Sequence, residues 1–478
     1  MDPHELVPGV LLPGFAGREL PDWLRAELER GLGGVCLFAG NVDAADPRGT
    51  ARLAAAIRAV RPEALVAADE EGGVVTRLEG RDGSTLPSPA QLGLVAPAVA
   101  ERASAVLSER VRRAGIDLLL APSADVNDNP ANPVIGARSF GGDPHDVAAR
   151  VAATVRGIRS RRGVAACVKH WPGHGDTDVD SHRGLPTVPA ATVARHAEPF
   201  AAAIREGVPA IMTAHIVVPE WGAEPVTVNP DAIARLRAEG FDGVVITDAV
   251  DMAAIADTYG LGGGAVRALA AGIDLVCLGN PELKGADAAA QYAEVTSAVI
   301  AALDEGILAP ERLREAHARV ARLAAELTAA RAAADAGTAG PLPVEPALLG
   351  TDDTAAIAAA LVAASDPSAV SALARIDRVV DARAGATQAA ATRAVPVDRT
   401  LRELTGHPAA HSGGVTAVVA DRPSDAQLAV IERERAAGQS IVVNVGAIPG
   451  GFDAAVVQLG ADSRFSAAIV RSWTGESR

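Results

Sequence analysis

The chain has 478 residues, 49% hydrophobic and 22% charged, a composition typical of a globular protein with more than one domain. Its formal net charge of −15 disfavours a nucleic-acid partner, because a phosphate backbone is neutralised by Lys and Arg. No apolar run reaches the roughly 18 residues of a membrane helix and no signal-peptide pattern is found. We therefore expect no membrane association and a cytoplasmic location.

Eight short apolar runs alternate with helix-like segments from the N-terminus to about residue 280. The runs cover residues 9–14, 34–39, 64–69, 117–123, 164–169, 209–214, 243–248 and 272–278. Continuous apolar runs that alternate with amphipathic helices predict parallel strands covered on both faces. Eight such units predict an α/β fold with a (β/α)8 TIM-type barrel, and a doubly wound open sheet is the alternative.

A second, smaller α/β domain is predicted after the barrel. A closing helix is predicted over residues 310–335, and the Gly- and Pro-rich segment 336–346 is predicted to be a linker. Residues 1–335 are thus assigned to the barrel and residues 347–478 to the smaller domain. Its strand-like runs and final helix carry no cluster of catalytic residue types, so its role is not predicted.

The three cysteines each lie in an apolar, strand-like run. Cys36, Cys167 and Cys277 are far apart in the sequence and odd in number. This pattern predicts reduced thiols in a core rather than a disulfide framework.

Polar side chains stand at the ends of four of the predicted strands. Asp69, His170, His215 and Asp248 lie at or just beyond the C-terminal ends of their runs. In a (β/α)8 barrel this is the face where βα loops build the active site. The sequence therefore predicts that the four side chains meet at one pocket.

The segment KHWPGHGDTDVDSHRGLP, residues 169–186, concentrates ionisable groups in a Gly- and Pro-broken loop. In an extended segment, Asp180 and His182 point the same way, so the carboxylate could orient the imidazole as an acid/base; the alternative is an exposed polar pair. Lys169, which opens the loop, is one of two lysines in a chain that uses Arg almost everywhere else, which favours a functional role.

A metal site is the competing interpretation of this loop. His170, His174 and the nearby aspartates could provide N and O ligands for Zn or Mn. However, Pro172 and the flanking glycines prevent the helix that would bring the two histidines onto one face. We therefore expect proton chemistry and no metal.

Five motifs resemble glycoside hydrolase family 3 β-N-acetylhexosaminidases of the NagZ type. They occur in the family's order and cover nearly the whole predicted barrel: Asp69-Glu-Glu-Gly-Gly-x-x-x-Arg77, Asn132-Pro-Val-Ile-Gly-Ala-Arg138-Ser-Phe, the loop Lys169–Pro186, Met212-Thr-Ala-His215 and Ile246-Thr-Asp248-Ala-Val-Asp-Met252. The resemblance implies a nucleophile at Asp248 and an acid/base at His182, oriented by Asp180. It implies that a terminal N-acetylglucosamine is held by Asp69, Arg77, Arg138, Lys169 and His170, with His215 and Met252 near the pocket.

The expected function is that of a retaining exo-β-N-acetylglucosaminidase acting on muropeptides or chitin-type oligosaccharides, without a cofactor. A phosphorylase or a broader β-glucosidase on the same site are alternatives. A metal-dependent hydrolase and a catalytically inactive sugar-binding protein are alternatives of other classes. Asp251 is interpreted as a helix-start carboxylate, and the protein is expected to be a monomer or homodimer.

Overall fold

The computed structural model describes residues 2–43, 46, 48–177, 184–336, 348–383, 395–405 and 414–475. Of residues 335 and 336, only the backbone is described. Asp180 and His182 lie outside these residues, and so does the predicted linker except for its first residue.

Each of the eight apolar runs corresponds to a parallel strand, and the fifth strand continues two residues past its run. The strands are β1 (Leu11–Leu12), β2 (Gly34–Leu37), β3 (Leu65–Ala68), β4 (Leu118–Leu119), β5 (Ala165–Trp171), β6 (Ala210–Thr213), β7 (Val244–Thr247) and β8 (Val276–Cys277). Strands β2 to β7 form one sheet in chain order, and β1 pairs with β8. Parallel bridges from Gly14 to Cys36 and from Ile246 to Leu275 join the two groups. The strands thus close into the predicted (β/α)8 barrel, and the open-sheet alternative is excluded.

Helices surround the barrel and connect successive strands. They are α1 (Pro3–Leu6), α2 (Asp22–Glu29), α3 (Gly49–Val60), α4 (Pro89–Leu92), α5 (Pro97–Arg113), α6 (Pro144–Arg159), α7 (Ala190–Arg195), α8 (Glu198–Arg205), α9 (Pro230–Ala238), α10 (Ala253–Ala271), α11 (Pro281–Lys284), α12 (Ala288–Asp304) and α13 (Pro310–Ala336). Helix starts follow local chemistry: the Asp143 side chain caps α6 by accepting from two backbone N–H groups, and proline occupies the first turn. The closing helix α13 matches the predicted 310–335.

Side chains on each barrel strand alternate between two apolar layers, as expected for a period of two. In β3, Leu65 and Ala67 belong to the cluster inside the barrel, whereas Val66 and Ala68 pack against the surrounding helices. All three cysteines are free and buried inside the barrel, as predicted.

The C-terminal elements form a smaller parallel sheet in the order β12-β11-β10-β9. Its strands are β9 (Ile376–Asp381), β10 (Val415–Ala420), β11 (Ser440–Asn444) and β12 (Val456–Gln458), and its helices are α14 (Thr351–Ala364), α15 (Pro367–Ala372), α16 (Pro396–Leu404), α17 (Asp425–Ala437) and α18 (Arg464–Thr474). We call residues 348–475 the C-terminal unit. Strand β9 was not predicted from the sequence; it is an edge strand whose charged residues are exposed. The boundaries given above for the domains and the linker remain a prediction.

Within the described residues, no single helix is long and apolar enough to cross a membrane. Helix α14 and the segment Pro367–Arg375 pass that test of length and composition only as a pair, bent by 108°.

Candidate active site

A pocket opens at the C-terminal ends of the barrel strands. Its floor includes Cys36, Leu120, Met212 and Cys277, all of which belong to the barrel interior. The predicted site residues that line it are Asp69, Arg77, Arg138, Lys169, His170, Asp248 and Met252. Residues separated by up to 183 positions in the sequence therefore meet in one cavity whose base is closed by the packed barrel core.

The Asp-Glu-Glu-Gly-Gly motif folds into a tight turn just after β3. Gly72 and Gly73 both have positive φ angles, 81° and 57°, which residues with a Cβ rarely adopt. A Cβ at Gly73 would also lie 2.3 Å from the Cβ of Ser88, because the chain returns directly beneath the turn. The two glycines thus allow Asp69 and Arg77 to come from opposite ends of one turn and meet at the pocket.

Five charged side chains form a network along one wall. Lys169 Nζ donates to Asp69 Oδ1 at 2.6 Å and lies 2.7 Å from Glu71 Oε1. Arg77 Nη2 donates to Asp69 Oδ2 at 2.9 Å. Arg138 makes a bidentate pair with Glu71, with distances of 2.9 and 2.8 Å. Three cations therefore share two carboxylates, and hydrogen bonding fixes the position of each charge.

The network keeps its members charged in spite of burial. Burial alone would raise the pKa of Asp69, but the positive charges of Lys169 and Arg77 hold that pKa well below its usual value. For Glu71, Arg138 and Lys169 likewise outweigh burial and lower the pKa to about 2. Burial would lower the pKa of Lys169, but Asp69 and Glu71 raise it. The wall is a fixed arrangement of charged donors and acceptors suited to sugar hydroxyl groups.

His170 is oriented by Asp125. The fully buried Asp125 Oδ2 lies 2.7 Å from His170 Nδ1, and on the other side His170 Nε2 lies 3.3 Å from Arg138 Nη2. A carboxylate can only accept a hydrogen bond and a guanidinium can only donate one. In a neutral His170 ring, Nδ1 therefore donates to Asp125 and Nε2 accepts from Arg138. Asp125 thereby presents the acceptor nitrogen of His170 to the pocket. Burial would raise the pKa of Asp125, but its hydrogen bonds with the His170 ring and with the N–H of His174 hold that pKa well below its usual value.

Asp248 stands immediately after β7, where its carboxylate reaches the pocket. Its Oδ1 accepts the backbone N–H of Ala249 at 2.8 Å, and its own N–H donates to the carbonyl of Thr213 at 3.1 Å. His215 is fully buried behind this segment and is not part of the pocket lining. Its Nε2 donates to the carbonyl of Ala249 at 2.9 Å, and its Nδ1 lies 2.8 Å from Thr227 Oγ1. The structure thus assigns His215 a position that supports the Asp248 turn.

Asp251 differs from its interpretation as a helix-start carboxylate. Helix α10 begins at Ala253 with Met252 as its N-cap, and no side-chain hydrogen bond caps it. Asp251 lines the pocket instead, and its backbone carbonyl accepts from Lys284 at the rim. The difference arises because Asp251 lies two positions before the first helical residue, so its carboxylate packs against Gly279 rather than over the first turn.

Two residues that matter to the geometry, Glu71 and Asp125, were not singled out from sequence. Glu71 neutralises Arg138 and Lys169, and Asp125 orients His170. A weak signal existed for both. Glu71 lies two residues after Asp69 in the same motif, and Asp125 lies just beyond the run that contains β4. Strand-end position alone did not distinguish them from surface carboxylates, whereas their burial does.

The segment that carries Asp180 and His182 is anchored on both sides in described residues. Before it, the N–H of His174 donates to Asp125 Oδ1 at 2.7 Å, and Asn132 Nδ2 donates to the carbonyl of His174 at 3.0 Å. After it, the N–H of Val217 donates to the carbonyl of Pro186 at 2.9 Å. His174 itself lines the pocket.

The possibility of a metal site is addressed only by the described ranges. Within them, no group of three or more His, Cys, Asp or Glu side chains is arranged to hold a metal ion. Asp178 and Asp180 of the considered ligand set lie outside those ranges. For His174, burial and the nearby His170 lower the pKa to about 4, so its ring is neutral near pH 7. Its Nδ1 lies 2.6 Å from Thr177 Oγ1.

Comparison with known proteins gives consistent results. The model of the glycosyl hydrolase family 3 N-terminal domain matches residues 18–323. A beta-hexosaminidase of Stenotrophomonas maltophilia (strain K279a) is 39% identical over 292 residues, covering 57% of this chain and 84% of the relative.

Two solved structures extend the similarity to the fold. A family 3 beta-N-acetylglucosaminidase from Paenibacillus sp. str. FPU-7 superposes with a TM-score of 0.76 at 27% identity, covering 99% of this chain and 97% of the other. A beta-N-acetylhexosaminidase from Beutenbergia cavernae DSM 12333 has a TM-score of 0.57 at 25% identity, covering 70% of this chain and 99% of the other. Because the family model matches well over half of the sequence, the chain belongs to glycosyl hydrolase family 3 and is a glycoside hydrolase.

Proposed function

We propose that the protein is a retaining exo-β-N-acetylglucosaminidase that removes terminal N-acetylglucosamine from muropeptides or chitin-type oligosaccharides. The observation that carries the proposal is the closed pocket, where a charged wall of Asp69, Arg77, Arg138 and Lys169 meets the Asp248 carboxylate. A pocket closed at its base accepts the end of a glycan chain but not its middle. Similarity to a beta-hexosaminidase and to a family 3 beta-N-acetylglucosaminidase supports a hexosaminidase over other glycosidases.

The wall provides binding that is specific for a sugar ring. Carboxylate oxygens of Asp69 accept from hydroxyl groups, while Lys169 and Arg138 donate to hydroxyl or carbonyl oxygens. Because ion pairs already fix these groups, little reorganisation is needed when the sugar binds. Binding energy obtained along the wall can then hold the anomeric carbon next to Asp248.

In the proposed mechanism, Asp248 Oδ attacks the anomeric carbon while His182 donates a proton to the departing oxygen. The C–O bond to the leaving group breaks, and a glycosyl-aspartate forms. His182, oriented by Asp180, next removes a proton from water, which attacks the anomeric carbon and releases Asp248. Of the described residues that flank this dyad in the sequence, His174 lines the pocket and Pro186 is hydrogen-bonded to Val217.

The first test measures hydrolysis of 4-nitrophenyl N-acetyl-β-glucosaminide by the wild type and by Asp248→Ala and His182→Ala. EDTA is present throughout, and His145→Ala, which removes an exposed imidazole, is the control. We expect kcat/KM to fall by at least roughly 10²-fold in Asp248→Ala, which lacks the nucleophile. In His182→Ala we expect kcat to fall by roughly 10²-fold, because the base that activates water is lost, whereas the control should match the wild type. Full activity of Asp248→Ala would refute the proposed nucleophile.

The acid role of His182 has its own signature. A 4-nitrophenolate leaves without much protonation, whereas a 4-methylphenolate requires it. The formation of the glycosyl-enzyme in His182→Ala should therefore decrease much more for the 4-methylphenyl glycoside. Equal losses for both aglycones would exclude His182 as the acid. Activity only towards the matching glucoside, or formation of a sugar 1-phosphate when phosphate is added, would redirect the assignment to a β-glucosidase or a phosphorylase.

A further inference from the structure

The C-terminal unit lies against the two barrel loops that carry the pocket's arginines. The β3–α4 loop, residues 69–88, carries Arg77, and the β4–α6 loop, residues 120–143, carries Arg138. Residues 120–124, at the start of the second loop, still hydrogen-bond to β3 and β5. Side chains on long loops keep a fixed position only when other parts of the molecule hold the backbone.

The β3–α4 loop and the start of α4 are held by buried hydrogen bonds to the segment just before α18 and to the first turn of α18. Ser88 Oγ donates to the carbonyl of Gly460 at 2.9 Å. Gln91 Nε2 donates to the carbonyl of Leu459 at 2.7 Å and to Ser466 Oγ at 2.9 Å. Ser88 lies directly beneath Gly73, so this contact reaches the turn between Asp69 and Arg77.

Arg464, the first residue of α18, holds the same loop at a second point. Its Nη2 donates to Glu79 Oε1 at 2.6 Å, and its Nε donates to the carbonyl of Gly83 at 2.9 Å. The other oxygen of Glu79 accepts from Arg110 of α5 at 2.8 Å. Glu79 is therefore held between a cation of the barrel and a cation of the C-terminal unit, two residues after Arg77.

The β4–α6 loop receives support from a different part of the C-terminal unit. Residues 447–449 line a small cleft together with Asn127, Pro130 and Gly136 of that loop. A Cβ at Gly451 would lie 3.0 Å from the Cβ of Pro130, which shows how closely the two backbones approach. The segment of the loop that leads to Arg138 is thus packed from behind.

We propose that the C-terminal unit braces the two arginine-bearing loops, and that Arg464 is a positioning residue for Arg77. An exposed ion pair contributes little to global stability, so its value here is geometric. Through Glu79, Arg464 fixes the end of the loop from which Arg77 reaches Asp69. This gives a role in the pocket to a unit that contributes no residue to the pocket lining within the described part of the chain.

The test compares Arg464→Ala with Arg102→Ala in the full chain. Arg102 of α5 makes a bidentate pair with Asp353 of α14, with distances of 2.8 and 2.6 Å, and so also connects the barrel to the C-terminal unit. The two side chains are similarly exposed, 44% for Arg464 and 56% for Arg102. Arg102 contacts neither loop through its guanidinium, which makes it the matched control.

Hydrogen–deuterium exchange and steady-state kinetics are the two measurements. In Arg464→Ala, we expect faster exchange over residues 77–88 and a roughly tenfold rise in KM, with a smaller change in kcat. In Arg464→Lys, KM should rise less than in Arg464→Ala, because an ammonium can still pair with Glu79. Arg102→Ala should match the wild type in both measurements.

Two results would overturn the proposal. One is wild-type exchange and KM in Arg464→Ala. The other is equal exchange increases in both variants, which would reflect a general loosening of the contact between barrel and C-terminal unit. Hydrogen–deuterium exchange is measured without substrate. It therefore tests whether the C-terminal unit braces the loops even if the wild type does not cleave the N-acetylated sugar.

Discussion

The buried carboxylate of Glu70 is expected to make stability decrease as pH rises. Glu70 lies between the two acids of the charged wall but faces away from the pocket, where its Oε2 accepts the N–H groups of Arg77 and Leu78 at 2.7 and 3.0 Å. Burial outweighs these hydrogen bonds and raises its pKa from 4.5 to about 7. We predict that Glu70→Gln removes this pH dependence while preserving the turn, because the amide oxygen can accept the same two N–H groups.

The magnitude follows from the difference between the two pKa values. Since the folded pKa is the higher one, the folded protein binds the additional proton between about pH 4.5 and 7. The stabilisation is complete below the unfolded pKa and is lost as pH rises through the folded pKa. The shift corresponds to about 3 kcal/mol in total, of which about 2.5 kcal/mol is lost between pH 5 and pH 8.

Urea unfolding of the wild type and Glu70→Gln at pH 5 and pH 8 measures this effect. All other groups titrate in both proteins. The difference between their unfolding free energies therefore changes with pH only because of Glu70. We expect the free energy of unfolding of the variant, relative to that of the wild type, to be about 2.5 kcal/mol higher at pH 8 than at pH 5. A difference that does not change with pH, or a variant that becomes relatively less stable at pH 8, would refute the reasoning.

Further predictions concern the turn and the charged wall. Glu71→Gln should lower the free energy of unfolding by roughly 3–5 kcal/mol, because it leaves buried cations with too little negative charge; an unchanged urea midpoint would contradict this. Gly73→Ala should cost at least roughly 2 kcal/mol, seen as a lower Tm, because φ is 57° and the new methyl group would meet Ser88. Asp125→Asn should reduce kcat/KM by roughly 10²-fold through loss of the His170 orientation, with an unchanged far-ultraviolet circular dichroism spectrum. Wild-type kinetics in that variant would show that activity does not depend on the orientation of His170 by Asp125.

Local sequence was sufficient to predict the barrel. Apolar runs of six or seven residues and their alternation with helices are local properties, and each of the eight runs corresponds to a strand. The same locality placed Asp69, His170 and Asp248 at strand ends, where a closed barrel gathers them at one pocket. Edge strand β9 was not predicted, because its exposed positions carry charged residues and so interrupt the apolar pattern on which the prediction depends.

Only the tertiary structure decided which neighbour each polar group meets. The Lys169–Asp69 bond joins residues 100 positions apart, and Gln91 reaches Ser466 across 375 positions. No periodicity encodes such pairs, because they depend on how strands and loops from distant parts of the chain pack. For that reason the sequence did not identify Glu71 and Asp125 as residues that hold the pocket side chains in place. It also did not show that His215 lies behind the pocket, or that the C-terminal unit contacts the arginine-bearing loops.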